Sequence, residues 1–403
     1  MTKRIIVVGG GVVGCSVAWH LAARGHGDVV LIERDVLGSG TTWHSAGNIT
    51  WKPIADNDAP VLYMLEVIQR LAEDYGAETG WHRMGRLFLA RDAAALADFA
   101  AMDETAQARG IETRLLAPSE AADLHPLLKA DTVAGAWFNP MSGRVNPADL
   151  TAAYARAAKR DGARIVENCR VTEVVADDGR VAAVETSEGR QAADAVVVCG
   201  GLWSRPLLAR LGVALPQLGC EHFYVIAQPE DRLARDTPSF ICPENLIYGR
   251  EEVGGFLVGC FDEDAKVIDD GALPDPFAFT LLNEDWDKVL PYFEHAMALF
   301  PALETAAVKS FVNGPEAFTP DGNPLIGPVD GIDGLYVCAG MNSRGVTWSA
   351  AAGHIVADLL ADRPPRFDAA GYAPDRFGEL ASDDNWLGSE VARSPSRHYR
   401  AVN

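Results

Sequence analysis

The feature that most constrains the fold is a strand–helix–strand pattern at the start of the chain. Residues Ile5–Val8 form a continuous apolar run that ends in glycine, which is typical of a strand buried on both faces. A helical stretch follows from Val12 to Arg24, and Val29–Ile32 predicts a second buried strand. This order predicts a βαβ unit, whose two strands are parallel.

The turn between the first strand and the helix satisfies the pattern G-x-G-x-x-G at Gly9, Gly11 and Gly14. Gly9 permits a tight turn, Gly11 lets a pyrophosphate approach the backbone, and Gly14 lets the helix pack closely on the strand. The helix N-terminus offers unpaired N–H groups to the phosphates. Glu33 closes the second strand, where it would accept hydrogen bonds from ribose hydroxyls. The motif predicts a bound dinucleotide and leaves its identity open.

Composition excludes several classes of function. Lys and Arg total 35 and Asp and Glu total 56, so the net charge of the 403 residues is −21. This charge repels phosphate backbones, and we therefore expect no nucleic-acid partner and no binding to anionic membranes. No uncharged apolar stretch is long enough to cross a bilayer, which predicts a protein without a membrane span. At this length two folding units are expected.

Cysteine usage indicates a reducing compartment. The seven cysteines are scattered and form no C-x-x-C pair, which argues against a disulfide framework and against a metal site. The apolar run from Ile5 to Trp19 imitates a secretory signal, but its glycines would break the signal helix. We therefore expect a cytoplasmic protein.

Buried strands and helices recur near the start, the middle and the end of the chain, with antiparallel patterns between them. Arg164–Val166 is expected to join its neighbours Arg170–Val175 and Val181–Glu185 in a small sheet. The predicted organisation is a nucleotide-binding domain in three segments (1–50, 141–215 and 314–366), a substrate domain between them (51–140 and 216–313) and a C-terminal tail (367–403).

The segment after Glu33 identifies the cofactor by resemblance. Residues Thr41–Gly47 read TTWHSAG, and this string resembles STWHAAG in the flavin domain of dimethylglycine and sarcosine dehydrogenases and oxidases. These belong to the D-amino-acid-oxidase-like FAD proteins, of glutathione-reductase type. The resemblance implies an α/β (mixed α+β) fold, in which a Rossmann FAD-binding domain carries an inserted antiparallel-sheet substrate domain. It also implies that His44 is bonded covalently to the 8α-methyl carbon of FAD, and Ser45 in place of Ala is a mild departure.

The resemblance extends over essentially the whole chain. It includes GWHRMGRLFLA (80–90), ADAVVVCGGLWS (193–204) and, most specifically, Gly314–Gly345, which the family places beneath the flavin. Together with the glycine motif, it implies the following FAD-binding residues: Gly9, Gly11, Val12, Val13, Gly14, Glu33, Arg34, Thr41, Thr42, Trp43, His44, Val171, Gly200, Trp203, Gly340, Asn342, Ser343, Arg344, Gly345 and Val346.

The candidate substrate site lies in the middle of the chain. His222 and Tyr224 in CEHFYVIA match the H-x-Y strand of the family, and alternation places both on one face of the strand. Tyr248 matches a tyrosine that lies with that histidine near the substrate amine. By residue type alone, a half-buried sheet with a hydrogen-bonded histidine is the more typical interpretation of these residues. Arg344 stands where the family has a small residue. It could bind a substrate carboxylate, with Arg250 and Arg86 as competing candidates.

The resemblance implies FAD-dependent oxidation of a secondary or tertiary amine, such as sarcosine or dimethylglycine. His222, Tyr248 and Arg344 are then the catalytic candidates. Either oxygen or an electron-transfer flavoprotein would reoxidise the flavin. The family's folate-binding region is expected to be absent, because the sequence ends at Asn403. A D-amino-acid dehydrogenase acting on a primary amine and a non-catalytic FAD-binding assembly factor remain alternatives.

Overall fold

The structure, a computed structural model, describes residues 3–54, 57–269 and 273–402. Its strands are β1 Arg4–Val8, β2 Asp28–Ile32, β3 Asn48–Ile49, β4 Arg86–Ala90, β5 Arg114–Leu116, β6 Gly135–Asn139, β7 Gly143–Arg144, β8 Arg164–Val166, β9 Val171–Asp177, β10 Arg180–Thr186, β11 Gln191–Ala192, β12 Ala195–Val198, β13 Leu218–Gln228, β14 Ser239–Cys242, β15 Ile247–Glu252, β16 Gly255–Cys260, β17 Val267–Ile268, β18 Ala307–Phe318, β19 Leu325–Pro328 and β20 Leu335–Ala339. Its α-helices are α1 Val12–Ala23, α2 Asp58–Tyr75, α3 Ala93–Gln107, α4 Pro118–Leu124, α5 Pro147–Arg160, α6 Ser204–Ala209, α7 Trp286–Leu299, α8 Gly345–Leu360 and α9 Asp384–Val402.

The first layer is a six-stranded sheet in the order β19-β20-β12-β1-β2-β8. All neighbours are parallel except β19, which runs antiparallel to β20. Alternate residues of its strands face opposite sides: Val7 and Leu31 pack in the cluster that contains α1 and α8, whereas Ile6 and Val30 pack with residues of β9 and β10. The continuous apolar runs of the sequence follow from this burial on both faces.

The assignment of Arg164–Val166 to the small sheet is wrong. The small sheet contains β9, β10 and β11, whereas β8 pairs in parallel with β2, with Ile165 opposite Leu31. The physical reason is the helix before it: α5 packs against α1, so the chain that leaves α5 returns to the edge of the parallel sheet. Helix α5 itself begins as predicted, because the Asn146 side chain accepts hydrogen bonds from the N–H groups of Ala148 and Asp149.

The second layer is a nine-stranded sheet in the order β17-β13-β16-β15-β14-β4-β6-β5, with β18 also paired to β13. It is antiparallel apart from the β14–β4 pair. One face is apolar: Leu87, Phe223 and Phe256 pack there against α7 residues such as Phe293. The opposite face carries the polar residues of the candidate site. The predicted combination of a Rossmann-type sheet with an antiparallel sheet is confirmed, while the exact domain boundaries stay a prediction.

The predicted C-terminal tail contains a long helix. In α9, Leu387 and Val391 are fully buried against Cys220, Ala265 and Phe318 of the second layer. All seven cysteines of the chain are buried and unbonded, as their apolar surroundings predict. Among the described helices, none combines the length and the hydrophobicity that crossing a bilayer requires.

Two helical glycines give a matched test of the packing between α1 and α8. A Cβ atom at Gly353 of α8 would lie 2.6 Å from His20 Nδ1 and 2.7 Å from Ser16 Oγ, whereas nothing lies within 4 Å of a Cβ atom at Gly388 of α9. We expect Gly353→Ala to lower the free energy of unfolding by about 1–3 kcal/mol through overpacking. Gly388→Ala should raise it by up to about 1 kcal/mol through helix propensity. Denaturant midpoints measure both. A stabilised Gly353→Ala variant would contradict the close packing.

Candidate active site

A cleft of about 1280 Å3 opens at the carboxyl ends of the parallel strands. Val8, Ile32, Cys199 and Ala339, which end or follow β1, β2, β12 and β20, all line it. This is the edge at which open α/β sheets bind their ligands. The predicted FAD-binding residues that line the cleft are Gly9, Gly11, Val12, Val13, Glu33, Arg34, Thr41, Thr42, Val171, Gly200, Trp203, Gly340, Asn342, Ser343, Gly345 and Val346.

Two of the three motif glycines, Gly9 and Gly14, occupy positions where a side chain would clash. Gly9 has a φ angle of 107°, which favours glycine, and a Cβ atom there would lie 2.6 Å from the carbonyl oxygen of Cys199. A Cβ atom at Gly14 would lie 1.9 Å from the Gly9 oxygen, so Gly14 packs the helix on the turn rather than lining the cleft. Gly11 caps α1 without a side-chain hydrogen bond. This geometry fits a pyrophosphate at the N-terminus of α1.

Glu33 faces the same cleft from the end of β2. Its carboxylate accepts hydrogen bonds from the Gly10 N–H at 2.6 Å and the Asp35 N–H at 2.9 Å. Burial raises the pKa of Glu33, while these two bonds oppose the rise. A carboxylate can accept more than two hydrogen bonds, so Glu33 can also accept hydrogen bonds from ribose hydroxyls. Next to it, the Arg34 guanidinium lies 3.9 Å over the Trp203 ring, and both side chains line the cleft.

A second, inner cavity of about 950 Å3 adjoins the cleft. The residues shared by the two linings are Ser45, Glu316, Asn342, Ser343 and Val346. The three predicted catalytic residues, His222, Tyr248 and Arg344, all line the inner cavity. The boundary between the cleft and the inner cavity is therefore where the isoalloxazine ring of a bound FAD is predicted to lie.

His44 lines the inner cavity at this boundary and is 4% exposed. Desolvation lowers its pKa to about 4, against the opposing effect of Glu316, so the imidazole is neutral at neutral pH. No described residue forms a hydrogen bond with its buried Nε2. The ring lies over Gly314, where a Cβ atom would come within 2.2 Å of it. A neutral imidazole with an unpartnered nitrogen fits the predicted attachment to FAD. Trp43 stands behind it, with ring centroids 5.9 Å apart, and lines neither cavity among the described residues.

The floor of the inner cavity is the polar face of the nine-stranded sheet. Register places Ile241 opposite Tyr248, and Tyr248 and Tyr224 both opposite Gly259. Because paired residues share a face, these side chains point to the same side. The Tyr248 ring lies over Gly259, where a Cβ atom would come within 2.3 Å of it.

His222 and Tyr248 contact each other directly on this floor. The Tyr248 hydroxyl and His222 Nε2 share a hydrogen bond of 3.4 Å, and the two rings are nearly parallel. Burial, followed by the negative charge of Glu316, raises the pKa of Tyr248 well above its ordinary value, so the phenol stays protonated. Glu316 itself accepts a hydrogen bond from Ser343 Oγ.

Cationic side chains line another part of the inner cavity. Arg86 is 3% exposed and donates from Nε to Ser239 Oγ at 2.8 Å and from Nη1 to Thr50, while no described residue bonds its buried Nη2. Arg344 lines the cavity too and donates from Nη2 to the Gly322 oxygen at 2.8 Å. Arg250 does not: its guanidinium donates to the Ala46 oxygen and to Glu252. Of the three arginines considered for a carboxylate, Arg86 is the one that is both buried and part of the cavity lining.

Among the inner-cavity residues that sequence reasoning missed, three have ionisable side chains: Lys52, Glu316 and Tyr399. Lys52 is 2% exposed, and desolvation together with the charges of Arg344 and Arg86 lowers its pKa well below the ordinary value. An isolated lysine in WKP carries no pattern that points to a site. Glu316 lies inside the family-specific string, so that string could have identified it. Nothing local distinguishes Tyr399.

Comparison with known proteins agrees with this geometry. Residues 4–359 match the family described as FAD dependent oxidoreductase. The chain is 33% identical to mitochondrial sarcosine dehydrogenase of Mus musculus, over 100% of this chain and 44% of the relative. It is also 33% identical to 4-methylaminobutanoate oxidase (formaldehyde-forming) of Paenarthrobacter nicotinovorans, over 98% of this chain and 48% of the relative. It thus spans about half the length of these curated relatives. The crystal structure of L-proline dehydrogenase from P. horikoshii matches with a TM-score of 0.80 and 27% identity, over 93% of this chain and 98% of that one.

Lys52→Met should raise the free energy of unfolding at neutral pH. The folded-state pKa of Lys52 is depressed, so protonation favours the unfolded chain and the lysine destabilises the fold below the unfolded pKa of about 10.4. The penalty is full below the folded pKa and disappears as pH approaches about 10.4, so the gain from methionine shrinks across that range. Denaturant midpoints at neutral and alkaline pH measure it. The exposed Lys309→Met is the control. A gain independent of pH would contradict the depressed pKa.

Proposed function

The chain belongs to the family of FAD-dependent oxidoreductases, and from this premise we propose that it oxidises a secondary or tertiary amine such as sarcosine or dimethylglycine. Bound FAD would supply the redox chemistry, by accepting at N5 a hydride from the carbon next to the amine nitrogen. Water would then hydrolyse the iminium product to release formaldehyde or another aldehyde. The names of the two relatives, a sarcosine dehydrogenase and a formaldehyde-forming methylamino acid oxidase, support this substrate class.

The observation that carries the proposal is the arrangement of the inner cavity, in which Arg86 and Arg344 form a cationic part and the hydrogen-bonded pair of Tyr248 and His222, beside Glu316, forms another part. Arg86 lies on β4 and Tyr248 on β15, with only β14 between them, so the two backbones are about 10 Å apart. A carboxylate at the unsatisfied Nη2 of Arg86 therefore leaves the amine of the same small molecule within reach of Tyr248 and His222. Arg344, which lines the same cavity, adds positive charge on the carboxylate side.

The same residues favour the neutral amine, which is the form that donates hydride. Transfer into a buried cavity disfavours a charged ammonium group, and the nearby Arg86 disfavours it further, while the negative charge of Glu316 opposes these two effects. Tyr248 is a neutral phenol because its pKa is raised, so it offers the amine a hydrogen bond without a counter-charge. His222 Nε2 is hydrogen-bonded to the Tyr248 hydroxyl, so a proton that the amine gives to the Tyr248 oxygen can be passed on to His222.

His44 supports covalent attachment of the flavin as part of the proposal. The attacking group must be a neutral imidazole, and the pKa of about 4 provides one over the physiological range. No described residue forms a hydrogen bond with its Nε2. Because residue 314 is a glycine, the His44 ring can lie in the space that a Cβ atom would fill. The bond between a nitrogen of His44 and the 8α carbon of FAD would replace a C–H bond of the methyl group. The proton would be lost, and the two electrons would pass to the flavin and from there to oxygen or the other electron acceptor.

Anaerobic reduction of the flavin by a panel of amines tests the reaction. We expect N-methyl amino acids to bleach the flavin absorbance, and Tyr248→Phe or His222→Ala to lower kcat/KM by about a hundredfold, most strongly at low pH. Tyr336→Phe, which alters a tyrosine outside the inner cavity, is the control. Repetition with oxygen separates an oxidase from a dehydrogenase that needs an electron-transfer flavoprotein.

The panel also separates the alternatives. Preferential reduction by primary-amine D-amino acids would favour a D-amino-acid dehydrogenase. If no amine reduces the flavin, the proposed reaction fails and a non-catalytic FAD protein becomes the better explanation.

Acid precipitation tests the covalent bond. We expect the yellow colour to stay with the precipitated wild-type protein and to leave His44→Ala, because only the bonded flavin survives denaturation. Gly314→Ala should also lower the retained fraction, since its methyl group would displace the His44 ring. Gly371→Ala, whose added Cβ would meet nothing within 4 Å, is the matched control. Release of all colour from the wild-type protein would contradict attachment at His44.

A further inference from the structure

The wall of the inner cavity includes a tyrosine from the last residues of the chain. Tyr399 of α9 lines the cavity together with Arg86, Tyr248 and Phe261, although it is 151 positions from Tyr248 along the sequence (399 − 248). It is 3% exposed. The C-terminal helix therefore contributes directly to the site and is not only a structural extension.

Packing on the second layer fixes where α9 runs. Leu387 and Val391 pack on Cys220 and Phe318. Cys220 is two residues from His222 in its strand, and Phe318 is two residues from Glu316, so both lie on the same sheet face as the inner cavity. The Ala265 N–H also donates to the carbonyl oxygen of Ala392 at 2.8 Å. Tyr399 follows Val391 by eight helical positions, or about 12 Å, which brings it over the cavity.

Two contacts hold the Tyr399 ring in the wall. Its hydroxyl donates to the carbonyl oxygen of Ile247 at 2.8 Å, directly before Tyr248 in β15. Its ring stacks on Phe261 with centroids 4.3 Å apart, and Phe261 in turn contacts the rings of His222 at 4.8 Å and Tyr248 at 5.6 Å. Burial raises the pKa of Tyr399 well above its ordinary value against the opposing charge of Arg86, so the phenol is neutral.

We propose that Tyr399 is a specificity-determining residue, whose ring limits how many carbons can separate the amine from the carboxylate of the substrate. This inference rests on the proposed function and deepens it. Arg86, Tyr248 and Tyr399 line the same cavity, and Arg86 and Tyr248 are the groups assigned to the two ends of the substrate. A longer chain between those ends must bow out, and in this proposal the Tyr399 ring fills the space into which it would bow.

Two substrates that share the methylamino group test the limit. Sarcosine has one carbon between nitrogen and carboxylate, and 4-(methylamino)butanoate has three. We expect Tyr399→Ala to raise the ratio of kcat/KM for 4-(methylamino)butanoate over sarcosine by about tenfold or more, the scale on which pockets discriminate methylene groups. Tyr399→Phe keeps the ring and should leave the ratio near that of the wild type.

Val391→Ala is the matched control, because it weakens the packing of the same helix on the sheet while Val391 does not line the inner cavity. The proposal is overturned if Tyr399→Ala changes both substrates by the same factor, or if Val391→Ala reproduces the change in ratio. In either case α9 would act on the site only through folding.

A binding measurement separates this inference from the proposed reaction. Saturated monocarboxylates from acetate to hexanoate are titrated against the holoenzyme, with the flavin spectrum as readout. The two results can differ. If no amine reduces the flavin, but Tyr399→Ala binds hexanoate more tightly relative to acetate than the wild type does, the proposed reaction is rejected and the role of Tyr399 as a limit on substrate length is supported. An unchanged ratio of the two dissociation constants, or no carboxylate binding to the wild type, would overturn the inference.

Discussion

The alternation of side chains across the nine-stranded sheet is the constraint on which the site depends. One face packs Leu87, Phe223 and Phe256 into an apolar cluster, so every second residue must point the other way. That other face brings together Arg86, Tyr248 and His222 from β4, β15 and β13. A slip of one residue in any strand would exchange a core residue for a cavity residue, so the energy of the core also enforces the register of the site.

Two glycines, Gly259 and Gly314, leave space on this face of the sheet for aromatic rings. Tyr248 lies over Gly259, and His44 lies over Gly314, in each case within the space of a Cβ atom. Both rings are thereby held against the sheet, and the volume above them is left for ligands. The same confinement desolvates them, which keeps the imidazole of His44 and the phenol of Tyr248 uncharged at neutral pH. The close packing of these two rings and their lack of charge therefore both follow from their burial against the sheet.

The features that the sequence predicted correctly are those that depend on neighbouring residues in the chain. The strand, glycine turn and helix at the N-terminus, the Asn146 cap of α5 and the cavity position of His222 all follow from short-range chemistry or a matching string. The pairing of β8 with β2 and the arrival of Lys52 and Tyr399 at one cavity depend on contacts between distant segments. No periodicity encodes such contacts, and a lysine in an apolar context is as typical of a surface as of a site.

The acidic composition and the cationic cavity are compatible because they act over different ranges. Exposed charges are screened within about 8–10 Å in physiological salt, so the net charge of −21 contributes little potential inside the protein. Arg86 is buried, where screening is weak and a nearby carboxylate interacts strongly. The proposed preference for an anionic amino acid would therefore depend on local cations such as Arg86 rather than on the total charge. The depressed pKa of Lys52 is the thermodynamic cost of burying an amine beside Arg86 and Arg344.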